Sequence, residues 1–247
     1  MSGVEILVLE DATDLFDAAA REFARAVRGA VARRGVARVA LAGGATPRGL
    51  YRRLAASPYR EWIPWTRVAV YFGDERCVPP EHADSNYRMA ANALLAKVPI
   101  PRRAVFRIRG EIDPRRAAAR YETILAGIDP PRPPRFDLVL LGLGADGHTA
   151  SLFPGSAALD ERDSLAVPAA SPAPPRDRVT LTLPVFNAAR VVVFLVVGRQ
   201  KATAVARALG TDSGPARPRA PLPAARVRPR SGRVVWLLDR AAASRLR

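Results

Sequence analysis

Hydrophobic positions along the chain follow two alternating rhythms. Short apolar runs at Val4–Leu9 and at residues 38–42, 67–72, 104–108, 136–141, 179–183, 191–197 and 234–239 read as strands. Between them, apolar residues recur at three- and four-residue steps, which predicts helices over residues 15–33, from Pro47, over 86–97, over Pro114–Ala126, over 199–209 and briefly after Asp239. Strands alternating with helices of this length predict an α/β fold, a mostly parallel sheet flanked by helices in the Rossmann manner. Its crossover connections are expected to be right-handed. Two stretches break the rhythm. Residues 129–135 form a Pro-rich connector, and residues 211–231, rich in Pro, Ala and Arg, read as a surface loop. No repeat or composition shift divides the chain, so residues 1–247 are expected to form a single α/β domain.

Composition narrows the function. The net charge of +16 would raise nucleic acid as a partner, but 37 of the 39 basic residues are arginine and they are spread along the whole chain. Basic residues interleaved with aromatics occur only around Phe106, inside a predicted strand, so no nucleic-acid partner is expected. The longest apolar run, residues 191–197, is far too short to span a bilayer, and the N-terminus does not resemble a signal peptide. A single cysteine, Cys77, forms no internal disulfide and fits a reducing compartment. The expectation is a soluble, cytoplasmic protein without a membrane partner, acting as a monomer.

The chemistry gathers where predicted strands end. In open α/β sheets, ligands bind in the crevice beyond the carboxyl ends of the strands. Leu41-Ala-Gly43-Gly44-Ala-Thr46-Pro47 joins a strand to a helix. Thr46 suits the N-cap and Pro47 the first helical position. Gly43 and Gly44 let the backbone approach an anion, so the turn is either a phosphate cradle or an ordinary strand-to-helix connection. Phe72-Gly-Asp74-Glu75-Arg76 opens a polar loop, where Arg76 is placed to meet a phosphate or carboxylate unless the three charges form an ion-pair cluster. Lys201, one of two lysines, opens a predicted helix, where a cation opposes the helix dipole unless an anion compensates. The run at 136–141 leads into Gly142-Leu-Gly144-Ala-Asp146-Gly147-His148. Only two histidines, His82 and His148, are present, and His148 is the one at a glycine-flanked strand end.

These motifs together resemble the 6-phosphogluconolactonase family. The resemblance rests on Gly43-Gly-Ala-Thr-Pro47, Gly73-Asp-Glu-Arg76 with Val78-Pro79 and Asp84-Ser-Asn86, and Gly142 through Gly155. It continues with Arg178-Val-Thr-Leu-Thr182, Pro184 and Asn187, and with Gly198-Arg-Gln-Lys-Ala202. It covers essentially the whole chain, and the C-terminal Val235-Trp-Leu-Leu-Asp239 also fits. Ala45 departs from the pattern, standing where many relatives carry Ser. The resemblance implies a fold like that of glucosamine-6-phosphate deaminase and ribose-5-phosphate isomerase. It also implies hydrolysis of 6-phosphoglucono-δ-lactone in the oxidative pentose phosphate pathway. The nearest alternative is the deaminase, whose pattern places an acidic residue soon after the histidine. Here the first is Asp160. A sugar-phosphate-sensing regulator would need a DNA-binding module that the alternating pattern leaves no room for.

Lactone hydrolysis needs an activated water, a stabilised oxyanion and a held substrate. No Gly-x-Ser-x-Gly elbow is present, so a serine acyl-enzyme has no support. The base is His148, His82 or a carboxylate with a raised pKa, and position favours His148. Asp146, or Asp74 across the crevice, would orient it. Arg76 and amides near Gly144 and Gly147 would hold the oxyanion. Gly43, Gly44, Thr46 and Lys201 would hold the phosphate. No cofactor is expected, and the His, Asp and Cys spacing offers no metal set.

Overall fold

A computed structural model describes residues 3–128, 133–211 and 220–246. In chain order the elements are β1 (Val4–Leu9), α1 (Ala12–Arg34), β2 (Ala37–Leu41), α2 (Ala45–Leu54), α3 (Tyr59–Trp62), β3 (Val68–Phe72), β4 (Asp74–Arg76) and α4 (Asn86–Ala90). There follow α5 (Pro114–Ala126), β5 (Leu138–Leu141), β6 (Ala166–Ala170), β7 (Asp177–Leu181), α6 (Leu183–Ala188), β8 (Val191–Val196), α7 (Ala202–Leu209) and β9 (Arg233–Asp239). Six strands form a wholly parallel sheet in the order β1-β9-β8-β5-β2-β3. The chain winds from β2 outward to β3 on one side, and from β5 to β8 and β9 on the other. The crevice therefore opens between β2 and β5, where a topological switch point places ligands.

The central strands are apolar throughout because both faces are covered: Leu138, Val139, Leu140 and Leu141 of β5 are all buried. α1 packs its stripe Leu15, Ala19, Phe23, Val27 and Ala30 into the same core, starting on an Asp11 cap and ending at Gly35 in the left-handed conformation. Two buried tyrosines fix the strand ends that matter for the crevice. Tyr51 Oη accepts from the Ala42 amide at 3.0 Å and donates to the Ala42 carbonyl at 2.7 Å. Tyr121 Oη accepts from the Phe72 amide at 2.8 Å. Among the described residues no helix is long and apolar enough to cross a membrane.

The expected mostly parallel sheet is present, but other elements differ from expectation. A second, antiparallel sheet, β4-β7-β6, was not expected, and the strand predicted at 179–183 is its middle member at Asp177–Leu181. The strand predicted at 104–108 is a single bridge, Val70 to Val105, because the chain leaves the edge of β3 after Phe106 donates to Val70. The helix predicted over 86–97 is α4 continued by a wider π turn, Ala91–Leu95. After Asp239 the described residues form turns, not a helix. Of the two irregular stretches, residues 129–132 and 212–219 lie outside the described residues. Within the second, Leu222, Ala224 and Val227 are buried, so that part packs into the core and is not a surface loop.

Candidate active site

Four turns meet over the carboxyl edge of the parallel sheet, following β2, β3, β5 and β8. They enclose a cleft of 470 Å³ lined by Gly43, Gly44, Thr46, Asp74, Arg76, His148 and Lys201. The expected phosphate-binding residues, with Asp74, Arg76 and His148, are therefore on one wall or another of a single crevice, whereas Asp146, Gly147 and His82 do not line it. Asp146, exposed just outside, reaches it through His148.

The Asp146–His148 turn is built by local hydrogen bonds. Asp146 Oδ1 accepts from the His148 amide at 3.1 Å and lies 2.6 Å from His148 Nδ1. An imidazole held at Nδ1 by a carboxylate keeps Nε2 as its available nitrogen. Partial burial pushes the Asp146 carboxylate up, but the His148 amide and the imidazole outweigh it and hold Asp146 below the usual aspartate value. The ring packs against Phe153 with centroids 4.7 Å apart. The Gly144 amide donates to the His148 carbonyl at 2.8 Å, and the Gly147 amide donates to the Gly144 carbonyl at 3.0 Å. These two amides are thus spent inside the turn and are not free for an oxyanion.

Asp74 does not touch the imidazole. Its carboxylate accepts from Ser151 Oγ at 2.7 Å and from Asn86 Nδ2 at 3.2 Å, so it braces the cleft floor while Asp146 alone orients the ring. His82 sits in the loop beside Asp84 and does not line the cleft.

The Gly43–Pro47 turn differs in detail from its sequence reading. Gly44, not Thr46, is the N-cap of α2, and no side chain caps the helix. Thr46 is the second helical residue and lines the cleft, and Pro47 is the third. Helix starts leave their first amides unpaired, and here those amides open onto the cleft with the positive end of the dipole. Gly43 is demanded by a neighbour: a Cβ there would stand 1.8 Å from Asn86 Oδ1.

Lys201 sits in a short 3₁₀ turn, Arg199–Lys201, immediately before α7. It is half-buried. Burial lowers the pKa of its ammonium, and Asp146 partly restores it. Among the described residues it makes no ion pair.

Arg178, which the sequence presents only within a motif, lines the cleft and is 8% exposed. It stands opposite Arg76 in the β4–β7 ladder and donates from Nε to the Pro175 carbonyl at 2.8 Å. Burial, then the charge of Arg76, hold its pKa below the ordinary arginine value. Asn86 and Gln200 also line the cleft and were likewise not singled out. An arginine directly leading the apolar alternation Val179-Thr-Leu181 was the available signal for Arg178.

A cation-rich crevice with an imidazole–carboxylate pair at its edge suits an anionic sugar derivative. The family model described as glucosamine-6-phosphate isomerases/6-phosphogluconolactonase matches residues 10–236. The chain belongs to that family. Within it, the chain is 41% identical over 222 residues to the 6-phosphogluconolactonase of Synechocystis sp., covering 88% of each. The solved 6-phosphogluconolactonase of Trypanosoma brucei superposes with a TM-score of 0.88 at 32% identity, over all of both chains. A monomeric glucosamine-6-phosphate deaminase superposes with a TM-score of 0.78 at 21% identity, over 97% of this chain and 99% of that one. That likeness extends to the fold alone.

Proposed function

We propose that this chain hydrolyses 6-phospho-D-glucono-1,5-lactone to 6-phospho-D-gluconate in the pentose phosphate pathway, through a water activated by His148. The observation carrying the mechanism is the 2.6 Å contact between Asp146 and His148 Nδ1 at the mouth of a cleft that also holds Arg76, Arg178 and Lys201. His148 Nε2 takes a proton from water as the oxygen attacks the lactone carbonyl carbon. Charge then develops on the carbonyl oxygen, where Arg76, backed by Arg178, supplies the compensating cation. Collapse breaks the bond to the ring oxygen, which takes the proton back from the imidazolium. The phosphate lies on the free amides at the start of α2, the Thr46 hydroxyl and Lys201, remote from the reacting carbon, where it supplies orientation. Asp74 holds Ser151 and Asn86 in place beneath. No serine nucleophile and no covalent intermediate are involved. The cleft draws on groups from residue 43 to residue 201, which supports a single domain, and we read the chain as a cytoplasmic monomer, the lone Cys77 fitting a reducing setting.

The test is proton release in a pH-stat with freshly generated lactone, corrected for spontaneous opening. Rapid turnover of the lactone with no ammonia release from glucosamine 6-phosphate is expected. The reverse preference would overturn the assignment.

A further inference from the structure

The turn that carries His148 is clamped from below by a distant piece of chain. Leu222 is buried, and a Cβ built on Gly147 would lie 2.7 Å from both Leu222 methyl carbons. The leucine therefore sits directly on the Gly147 backbone, which is at φ +88°, a conformation that a side-chain-bearing residue rarely adopts. Two residues on, the Ala224 amide donates to the Gly147 carbonyl at 3.1 Å. The strap is itself a closed unit: Ala225 donates to Leu222, and Val227 to Ala224, across the short 3₁₀ turn Pro223–Arg226.

Its far end is tied to the core. Asn187, close to the end of α6, donates from Nδ2 to the Arg226 carbonyl at 3.2 Å and accepts at Oδ1 from the Arg228 amide at 2.6 Å. The Arg230 amide adds a bond to the Asn187 carbonyl at 3.1 Å. A continuous path of packed and hydrogen-bonded groups runs from α6 through the strap to Gly147, the residue between Asp146 and His148. Cores and packed turns shift in discrete steps, and misplacing a reacting group by about 1 Å costs up to about 10²-fold in rate.

We infer that Leu222 is a positioning residue for His148, with the strap anchored by Asn187 holding the Asp146–His148 turn at its working height. It touches neither substrate nor reacting atoms. The inference rests on His148 being the base, and goes beyond it by naming what fixes that base.

The chain has only two histidines, so imidazole Hε1 signals give two resonances, with His82 as an internal control. Leu222→Ala is expected to move or broaden the His148 signal, leave His82 in place and lower kcat about tenfold, with KM within about twofold. Leu222→Met, which refills the space, is expected to restore both readouts. The unchanged His82 signal and the thermal melt report whether the variants are folded. An undisturbed His148 signal in folded Leu222→Ala overturns the inference, as does a rise in KM at constant kcat. Failure of the base assignment is separately visible: His148→Asn would then keep its turnover while the Leu222→Ala resonance still moved.

Discussion

Arg76 and Arg178 stand directly opposite one another across the antiparallel β4–β7 ladder, and both line the cleft. Like charges so placed repel. Burial compounds the cost for Arg178, whose guanidinium is held below its ordinary pKa. Asp74, Glu75 and Asp84 offset this only in part, and both guanidinium groups open onto a cleft suited to an anion. Arg178→Met is therefore expected to lower kcat/KM by about 10- to 100-fold, the scale of a lost hydrogen bond to a charged group, while leaving Tm equal or higher. Steady-state kinetics beside a thermal melt check this, and a drop in Tm with unchanged kinetics would assign Arg178 to stability instead.

Lys201 is predicted to recognise the phosphate. Lys201→Ala is expected to raise KM for the phosphorylated lactone about 10- to 100-fold with kcat little changed. Unphosphorylated gluconolactone should be turned over equally by both proteins. An equal loss on the two substrates contradicts a phosphate contact.

Asp146 carries a pH signature. Its pKa is lowered from 3.8, so the folded state favours the carboxylate. The stability from this pairing is present above that ordinary value and is lost as pH falls through the depressed one. The difference in Tm between the parent chain and Asp146→Asn should therefore persist at neutral pH and shrink in strong acid. A constant difference down to the acid limit would mean that the carboxylate is not the stabilising species.

Gly43 is predicted to be compulsory because of Asn86. Gly43→Ala forces a Cβ to within 1.8 Å of Asn86 Oδ1, and overpacking of this kind costs about 1–3 kcal/mol. In a double-mutant cycle with Asn86→Ala, the two losses should be markedly less than additive. Additive losses in chemical denaturation would show that the glycine answers to something else.

Much of this was legible in the chain because the parallel sheet is buried on both faces. The unbroken apolar run at Val191–Val196 can be little else, and the turn with His148 follows such a run directly. The second sheet was not legible. β4 is three charged residues, Asp74-Glu75-Arg76, and its extended form is a tertiary product. Glu75 is buried there, accepting the amides of Asn86 at 2.7 Å and Tyr87 at 2.8 Å, a pairing that no local pattern announces. Arg178 was missed for the same reason, since its burial exists only once β4 and β7 pair. Thr46 misled because Ser and Thr are the usual caps, whereas Gly44 ends β2's turn and starts α2 without a side-chain bond.

If the His148 imidazole removes the proton from the attacking water, single-turnover hydrolysis by His148→Asn should expose it. The chemical step is expected to be about 10²- to 10⁴-fold slower, with binding of the phosphorylated lactone nearly intact. A folded variant that opens the lactone at close to the parent rate would contradict it.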